Sequence, residues 1–225
     1  MPRLDVFLVT TGKFPSRQAA KRAIKAGHVF VNGSTAKPSS RVLLHDEVQI
    51  IDTPFEYPLG YSKMKALDEI IDSPLVSPGD LVLDIGSSAG GFLIYLLEHG
   101  ANVVGIEYST AFKDNLVEIT EKFSSVSILF DDAFRMDPNI ICESECIDFL
   151  VIDVTTDPVG TLKLIQRFIR LLRPGSRLIA AFKSKGNNIL LQKIQDCVMR
   201  CGCDTIKFHN LDPSQQELHL VAVRR

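Results

Sequence analysis

Leu81-Val82-Leu83-Asp84-Ile85-Gly86-Ser87-Ser88-Ala89-Gly90-Gly91-Phe92 reads as a buried strand, a turn of small residues and the start of a helix. Gly86 permits a tight turn, while Gly90 and Gly91 let a ligand and the next helix approach the backbone. Around this stretch, strands and helices alternate. Strands are predicted over 81–85, 102–106, 126–130, 147–152, 177–182, 205–208 and 218–223. Helices are predicted over 62–71, 91–99, 111–123, 161–172 and 187–200. Near-continuous apolar strands in regular alternation imply an α/β fold, a seven-stranded, mostly parallel sheet with helices on both faces. Such a sheet binds its ligand outside the carboxyl ends of its strands.

At 225 residues, with 45% hydrophobic and 23% charged residues, the chain has globular averages, which excludes a disordered or collagen-like polymer. No run approaches the ~20 apolar residues that a bilayer-crossing helix needs. Met1-Pro2-Arg3-Leu4-Asp5 puts an acid where a secretory leader needs an unbroken apolar core. Five cysteines, an odd number in a chain of this length, do not read as a disulfide framework. A soluble, cytoplasmic protein without a membrane partner is expected. The net charge of −2 hides an asymmetry, since residues 1–50 carry +5 and the other 175 carry −7. A basic head on an acidic body suits contact with a polyanion.

Asp52-Thr53-Pro54-Phe55-Glu56-Tyr57-Pro58-Leu59-Gly60 interrupts any periodic pattern and divides the chain into a head, 1–55, and a body, 60–225. The head reads as two helices followed by short strands, a small α+β unit. Leu4, Phe7 and Leu8 share one helical face, and Ala19, Ala20, Ala23 and Ile24 share another. Ser16 can cap the second helix and Gly27 can end it. His28-Val29-Phe30-Val31 leads into Asn32-Gly33, a strong hairpin signal, and Glu47-Val48-Gln49-Ile50 reads as a later strand.

The turn after residue 85 departs from the dinucleotide G-x-G-x-x-G spacing, because Ser87-Ser88-Ala89 separate its first two glycines. The second strand of the body ends in Glu107, 21 residues beyond Gly86, placed to accept both hydroxyls of a ribose. Phe130-Asp131-Asp132-Ala133 follows the third strand, where an acid can bond an adenine amino group. The D-x-G-x-x-x-G-G loop and its following acid resemble the S-adenosylmethionine (SAM) site of the Rossmann-like methyltransferases. Arg173-Pro174-Gly175-Ser176 resembles their usual entry to the fifth strand. The resemblance implies SAM held by Asp84, Gly86, Ser87, Ser88, Gly90, Gly91, Phe92, Glu107, Asp131, Asp132 and Ala133. A sulfonium ligand without a pyrophosphate suits an acidic lining. A nicotinamide cofactor is the competing ligand, and acids that merely end strands are the plain alternative.

Four polar residues fall at the ends of elements of the body. Asp153 ends the fourth strand in Leu150-Val151-Ile152-Asp153, and Lys183 ends the fifth in Ile179-Ala180-Ala181-Phe182-Lys183. Lys63 sits in the first turn of a helix that Ser62 could cap, and Glu217 begins the final strand. Methyl transfer to a hydroxyl is an in-line displacement, so a nucleophile must be aligned and its proton removed. The four positions resemble the Lys-Asp-Lys-Glu tetrad of the FtsJ/RrmJ-type ribose 2′-O-methyltransferases. The closer resemblance is to the TlyA (hemolysin A) branch, which precedes that domain with an RNA-binding head. It implies that Lys63, Asp153, Lys183 and Glu217 are catalytic, that Lys183 activates the 2′-hydroxyl, that no metal takes part, and that the substrate is ribosomal RNA. The chain departs from the pattern at Leu59-Gly60-Tyr61-Ser62, at Thr155-Thr156 and at Ser184, which leaves Lys65 and Lys185 as register alternatives. A lysine acting as base at neutral pH needs a shift of ~3 units, about 4 kcal/mol. Lys63 pushes that way, whereas Asp153 and Glu217 push against it.

In the head, Arg17, Lys21 and Lys25 recur every four residues. Like charges at that spacing destabilise an isolated helix by roughly 0.2–0.5 kcal/mol per pair, and phosphate is the natural counterion. The Arg3-Leu4-Asp5 start, Ser16-Arg17 and the Gly27-x-Val29-x-Val31-Asn32-Gly33 hairpin resemble the S-four (αL-motif) RNA-binding domain. Arg3, Lys13, Ser16, Arg17, Lys21 and Lys25 are the candidate RNA contacts. Cys142-x-x-x-Cys146 and Cys197-x-x-x-Cys201-x-Cys203 lack the knuckle pairs and histidines of a zinc site, so free thiols are expected. The five histidines are scattered, and His219 lies inside a strand where ordinary packing suffices. The resulting expectation is a two-domain RNA 2′-O-methyltransferase. A different class is an RNA-binding protein whose methyltransferase domain holds SAM weakly or has lost turnover. A third is a small-molecule methyltransferase with an incidental basic head.

Overall fold

A computed structural model describes the chain apart from residues 15–16, 26, 44, 51–56, 72, 185 and 213–215, and apart from the side chains of residues 18 and 22. Ser16, the 52–56 stretch of the interrupted segment and Lys185 therefore lie outside the described residues. The chain forms two compact units, Met1–Glu56 and Tyr57–Arg225.

In the first unit, α1 (Leu4–Thr10) and α2 (Arg17–Lys25) pack with a three-stranded antiparallel sheet of order β2-β1-β3, made by β1 (Val29–Val31), β2 (Ser34–Thr35) and β3 (Val48–Ile50). Leu4, Leu8, Ala20, Ala23 and Ile24 meet Val29 and Val42 in one small core. Asn32 (φ 51°) and Gly33 (φ 74°) both adopt the left-handed conformation that the two-residue turn from Val31 to Ser34 requires. The Asn32 side chain also accepts from the Glu47 N–H and donates to Asp46, each at 2.9 Å, which ties the turn to the segment entering β3.

The second unit is built on a sheet of order β6-β5-β4-β7-β8-β10-β9. Its strands are β4 (Leu81–Ile85), β5 (Asn102–Glu107), β6 (Val126–Phe130), β7 (Ile147–Ile152), β8 (Leu172–Phe182), β9 (Cys203–His209) and β10 (Leu218–Arg224). β4 to β8 pair in parallel, and β10 runs antiparallel to both its neighbours. The alternation of side chains puts Val82, Phe149 and Val151 in a core with α3 (Leu59–Ile70), α4 (Gly91–Glu98) and α5 (Lys113–Lys122). Leu83, Ile85, Leu150 and Ile152 face the other core, with α6 (Pro158–Phe168) and α7 (Asn188–Arg200). Both faces are thus buried, which is why apolar residues in these strands run on consecutively rather than at every second position, with Asp84 and Asp148 as exceptions. From β4 the chain moves outward to β5 and β6 and returns to β7, so the order reverses between β4 and β7, and the crevice lies outside the carboxyl ends of these two strands.

Two helices begin a turn or so earlier than the sequence suggests. α3 starts at Leu59 with Pro58 at its N-cap position, so Ser62 lies inside the helix and caps nothing, and Lys63 falls in the second turn. The entry is set by close approach of two backbones, because a Cβ on Gly91 would lie 2.6 Å from Tyr61 N and 2.8 Å from Gly60. α6 starts at Pro158, its N-cap Asp157 accepting from Gly160 N–H at 2.7 Å, a turn with a fixed φ and a capping carboxylate. Cys142 and Cys146 form a disulfide, against the expectation of free thiols, because the loop between β6 and β7 brings their Cα atoms to 6.6 Å. Cys197, Cys201 and Cys203 are free thiols. Among the described residues no helix is long and apolar enough to cross a membrane, and no cluster of His, Cys, Asp or Glu could hold a metal ion.

Candidate active site

The loop after β4 is shaped by steric demands that only glycine meets. Gly86 has φ +93°, and a Cβ there would lie 2.4 Å from the carbonyl oxygen of Asp153. The β4 and β7 ends are thereby locked together. Gly90, at φ +80°, faces Ile119 of α5, where a Cβ would meet Cδ1 at 2.1 Å. Gly91 faces the start of α3. At these two glycines a close approach of helices is thus seen, by α5 at Gly90 and by α3 at Gly91. Phe92 is likewise buried in the core between α3 and α4.

The acids of the crevice are held differently from one another. Glu107, buried at the end of β5, accepts from Ser88 N–H at 2.7 Å and Ser109 N–H at 2.6 Å, one donor on each oxygen. Each oxygen keeps a lone pair for a further donor. Asp84 is fully buried, and among the described residues neither of its carboxylate oxygens has a hydrogen-bond partner. Burial drives its carboxyl up to about 7, against the pull of Ser87 and with added repulsion from Asp153 and Glu107. The buried Ser87 hydroxyl donates to the Asp84 carbonyl at 3.3 Å. Asp131 is exposed and accepts from Asp132 N–H at 2.7 Å. Asp132 accepts from Phe134 N–H at 2.9 Å and pairs with Arg135 at 3.4 Å, beside the buried Ala133.

Lys63, Asp153, Lys183 and Glu217 come together from α3, the end of β7, the end of β8 and the start of β10. Lys63 Nζ lies 2.6 Å from Glu217 Oε1 and 3.4 Å from Asp153 Oδ2. Lys183 Nζ lies 2.8 Å from Glu217 Oε2 and hydrogen-bonds Asp153 Oδ1. Two cations and two anions thus alternate around a closed ring, each side chain no more than 26% exposed. Lys65, the register alternative, is exposed on α3. Burial alone would depress the Lys183 ammonium, but the Asp153 and Glu217 carboxylates outweigh it and hold its pKa above the usual lysine value. Burial would raise the Glu217 carboxyl, yet His219, Lys183 and Lys63 hold it well below the usual range. The contest between like-charge repulsion and the two carboxylates is therefore won by the carboxylates.

His219 belongs to this group although its position within a strand argued for packing alone. Its Nε2 lies 3.0 Å from Glu217 Oε1, off the line of a hydrogen bond, and the residue is 2% exposed. The available signal was the spacing: Glu217, the residue before β10, and His219 are two apart, the interval that puts side chains on one side of an extended chain.

In the head, three of the candidate phosphate contacts converge on one acid. Asp5 is fully buried; Arg3 Nε lies 3.0 Å, Arg17 Nη2 3.2 Å and Lys21 Nζ 3.9 Å from its carboxylate. The bonds from Arg3, against the cost of burial and with help from Arg17, hold the Asp5 pKa below the usual value. Repulsion along α2 is thus offset within the protein, where phosphate was the expected counterion. The three bases still keep 43–54% of their side-chain surface in solvent, and Lys13 and Lys25 are exposed.

The sequence matches two family models, "S4 domain" over residues 2–48 and "FtsJ-like methyltransferase" over residues 60–212. It is 32% identical over 192 residues to "Putative rRNA methyltransferase YqxC" of Bacillus subtilis, covering 80% of this chain and 63% of that one, so this chain spans less than two thirds of that relative. It is 31% identical over 208 residues to "Hemolysin A" of Brachyspira hyodysenteriae, covering 85% and 84%. Among solved structures, a "Putative hemolysin" from Streptococcus thermophilus superimposes with a TM-score of 0.66 at 20% identity, over 99% of this chain and 88% of that one. Aeropyrum pernix fibrillarin, in complex with natively bound S-adenosyl-L-methionine, gives 0.61 at 18% identity over 80% of each chain. Both structures share the fold.

Proposed function

The chain belongs to the FtsJ-like methyltransferase family, in its hemolysin A (TlyA) branch with an S4 domain ahead of the methyltransferase domain, and from that premise we propose that it methylates a ribose 2′-hydroxyl of ribosomal RNA with SAM as donor. The observation that carries this reading is the closed ring of Lys63, Asp153, Lys183 and Glu217 beside the β4 loop.

The residues present fit SAM. The Asp84–Phe92 stretch contains no basic side chain, and Asp84, Glu107 and Asp153 stand around the crevice. A pyrophosphate would meet repulsion there, whereas a sulfonium meets complementary charge. Glu107 would hold the ribose hydroxyls, Asp132 the adenine amino group, and the 86–91 turn the methionine end. The cofactor supplies an electrophilic methyl group on sulfur.

The chain's own contribution is to place the attacking oxygen and manage its charge. Lys183 is stored as an ammonium, because two carboxylates face it. It orients the 2′-hydroxyl and stabilises the negative charge that develops on oxygen as the hydroxyl proton passes to solvent water. This differs from a neutral lysine acting as base. Lys63 and Glu217 hold Lys183 and the ribose in register, and Asp153 ties the ring to the Gly86 turn. The exposed bases of the head contact RNA backbone, which adds affinity more than sequence choice.

The test is transfer of labelled methyl from SAM to total RNA of cells lacking the protein, followed by nucleoside mass spectrometry. A 2′-O-methyl nucleoside is expected. Label on bases moves the protein to another methyltransferase class, and RNA retention without label makes it an RNA-binding protein.

A further inference from the structure

His219 interrupts an otherwise apolar run, Leu218-His219-Leu220-Val221-Ala222-Val223. The residue is 2% exposed, and among the described residues neither ring nitrogen has a hydrogen-bond partner. A buried polar group left unpaired is costly, and a leucine at this position would fill the site without that cost. Packing therefore does not account for a histidine here. Its Nε2 stands 3.0 Å from Glu217 Oε1, the oxygen that Lys63 Nζ also approaches at 2.6 Å.

Glu217 stands one residue beyond the ladder of β8 and β10, and the last torsion of a glutamate is broad and roughly two-fold. A swing about that bond would take Oε1 from Lys63 and Oε2 from Lys183 at once. The His219 ring lies against the Oε1 edge and opposes the swing, and a small turn of the ring aims a nitrogen at that oxygen. The other charged or titratable groups on this side of the sheet are Lys63 of α3, His209, the register partner of His219 on β9, Lys207 of the same strand, and Asp212 beyond it. Burial, with repulsion from Lys207 and His219, pushes the His209 pKa down, which disfavours a second charge beside the ring.

We propose that His219 is a positioning residue for methyl transfer, holding the Glu217 carboxylate so that one oxygen faces Lys63 and the other fixes Lys183 where the acceptor hydroxyl arrives. The inference rests on the ribose-methylation reading above and adds a residue that touches neither donor nor acceptor. Such support is what a constellation of charged groups needs to keep its geometry.

His219→Leu removes the polar ring and keeps apolar volume, and His219→Gln restores an N–H donor near Oε1. In the full-length protein, His219→Leu should unfold at no lower urea concentration than wild type. It should nevertheless transfer labelled methyl to RNA about ten- to a hundredfold more slowly at saturation, with KM for SAM and for RNA within about threefold. His219→Gln should recover most of the rate. Lysine ¹³Cε NMR reads the same effect without turnover: the Lys183 signal, assigned with Lys183→Ala, should titrate at lower pH in His219→Leu than in wild type or His219→Gln. His219→Met replaces His219→Leu if the latter does not fold. An unmoved Lys183 titration, or a loss of rate that follows loss of stability and is not restored by His219→Gln, overturns the role of His219. A 2′-O-methyl product formed at the wild-type rate by His219→Leu overturns that role and keeps the reaction. Methyl label on bases alone, with the Lys183 titration moved, overturns the ribose reading and keeps the hold on Glu217.

Discussion

Lys183 donates to Glu217 across 2.8 Å because the two residues extend an antiparallel ladder: Phe182 partners Leu218 in the register of β8 and β10, and each pair member is the next residue outward. The spacing of this pair is inherited from a strand ladder, not from a loop. Lys63 reaches the other Glu217 oxygen from a helix that precedes the sheet by sequence. Such a ring is held from several directions, as a site that must not drift requires.

Lys183→Ala should lower methyl transfer to RNA by about 10²–10⁴-fold, the range for losing a group that manages charge or protons in the transition state. SAM affinity should stay within about threefold of wild type, since no backbone in the cofactor turn depends on that side chain. Single-turnover transfer and calorimetry of SAM binding read the two quantities separately.

Glu217→Gln should move the pH dependence of transfer downward. One of the two carboxylates that hold Lys183 protonated is then neutral, while burial continues to favour the uncharged amine. A pH–rate profile across the alkaline limb measures the displacement, and an unmoved limb rules out Lys183 as the group that titrates.

Asp84→Asn should change how stability depends on pH. The native carboxyl titrates at about 7, raised from 3.8, so its favourable state is the protonated one. That contribution is complete below the unfolded value and is lost as pH rises through the folded one. Relative to the amide, wild type should lose up to about 4 kcal/mol between pH 4 and 7 and then level off. Urea unfolding at several pH values checks the slope.

Gly86→Ala should destabilise the second unit and weaken SAM binding together. The new methyl would meet the Asp153 carbonyl at 2.4 Å in a conformation that disfavours any side chain. Backbone strain of about 1–3 kcal/mol is expected, and relief can come only by moving the Asp153 end of β7. Thermal denaturation and SAM calorimetry should both register it.

In the head, Lys25→Ala should reduce the slope of log binding constant against log salt by about one, the signature of a lost phosphate contact. Asp5→Ala should instead cost about 1–2 kcal/mol of stability, since three cations lose their shared partner. Filter binding over a salt series and chemical denaturation distinguish the two effects.

Much of the architecture was readable because its signals are local. Apolar runs such as 147–152, the Asn32-Gly33 turn and the Gly86 turn each state their conformation within a few residues. Helix starts were less so: the α3 entry depends on Gly91, some thirty residues away in sequence, and not on the capping power of Ser62. The disulfide of Cys142 and Cys146 likewise depends on a loop path that spacing does not reveal.

By itself the amino-acid order determined the strand–helix alternation, the seven-stranded sheet, the hairpin and the residue types at the ends of the elements, since these follow from periodicity and turn chemistry within short windows. Which charges meet was decided only in three dimensions. The state of Lys183 turns on Asp153 and Glu217 arriving from separate strands, and the basic stripe of α2 is answered by Asp5 of α1. Coulomb energy depends on distance and on the surrounding dielectric, and neither is written along the chain.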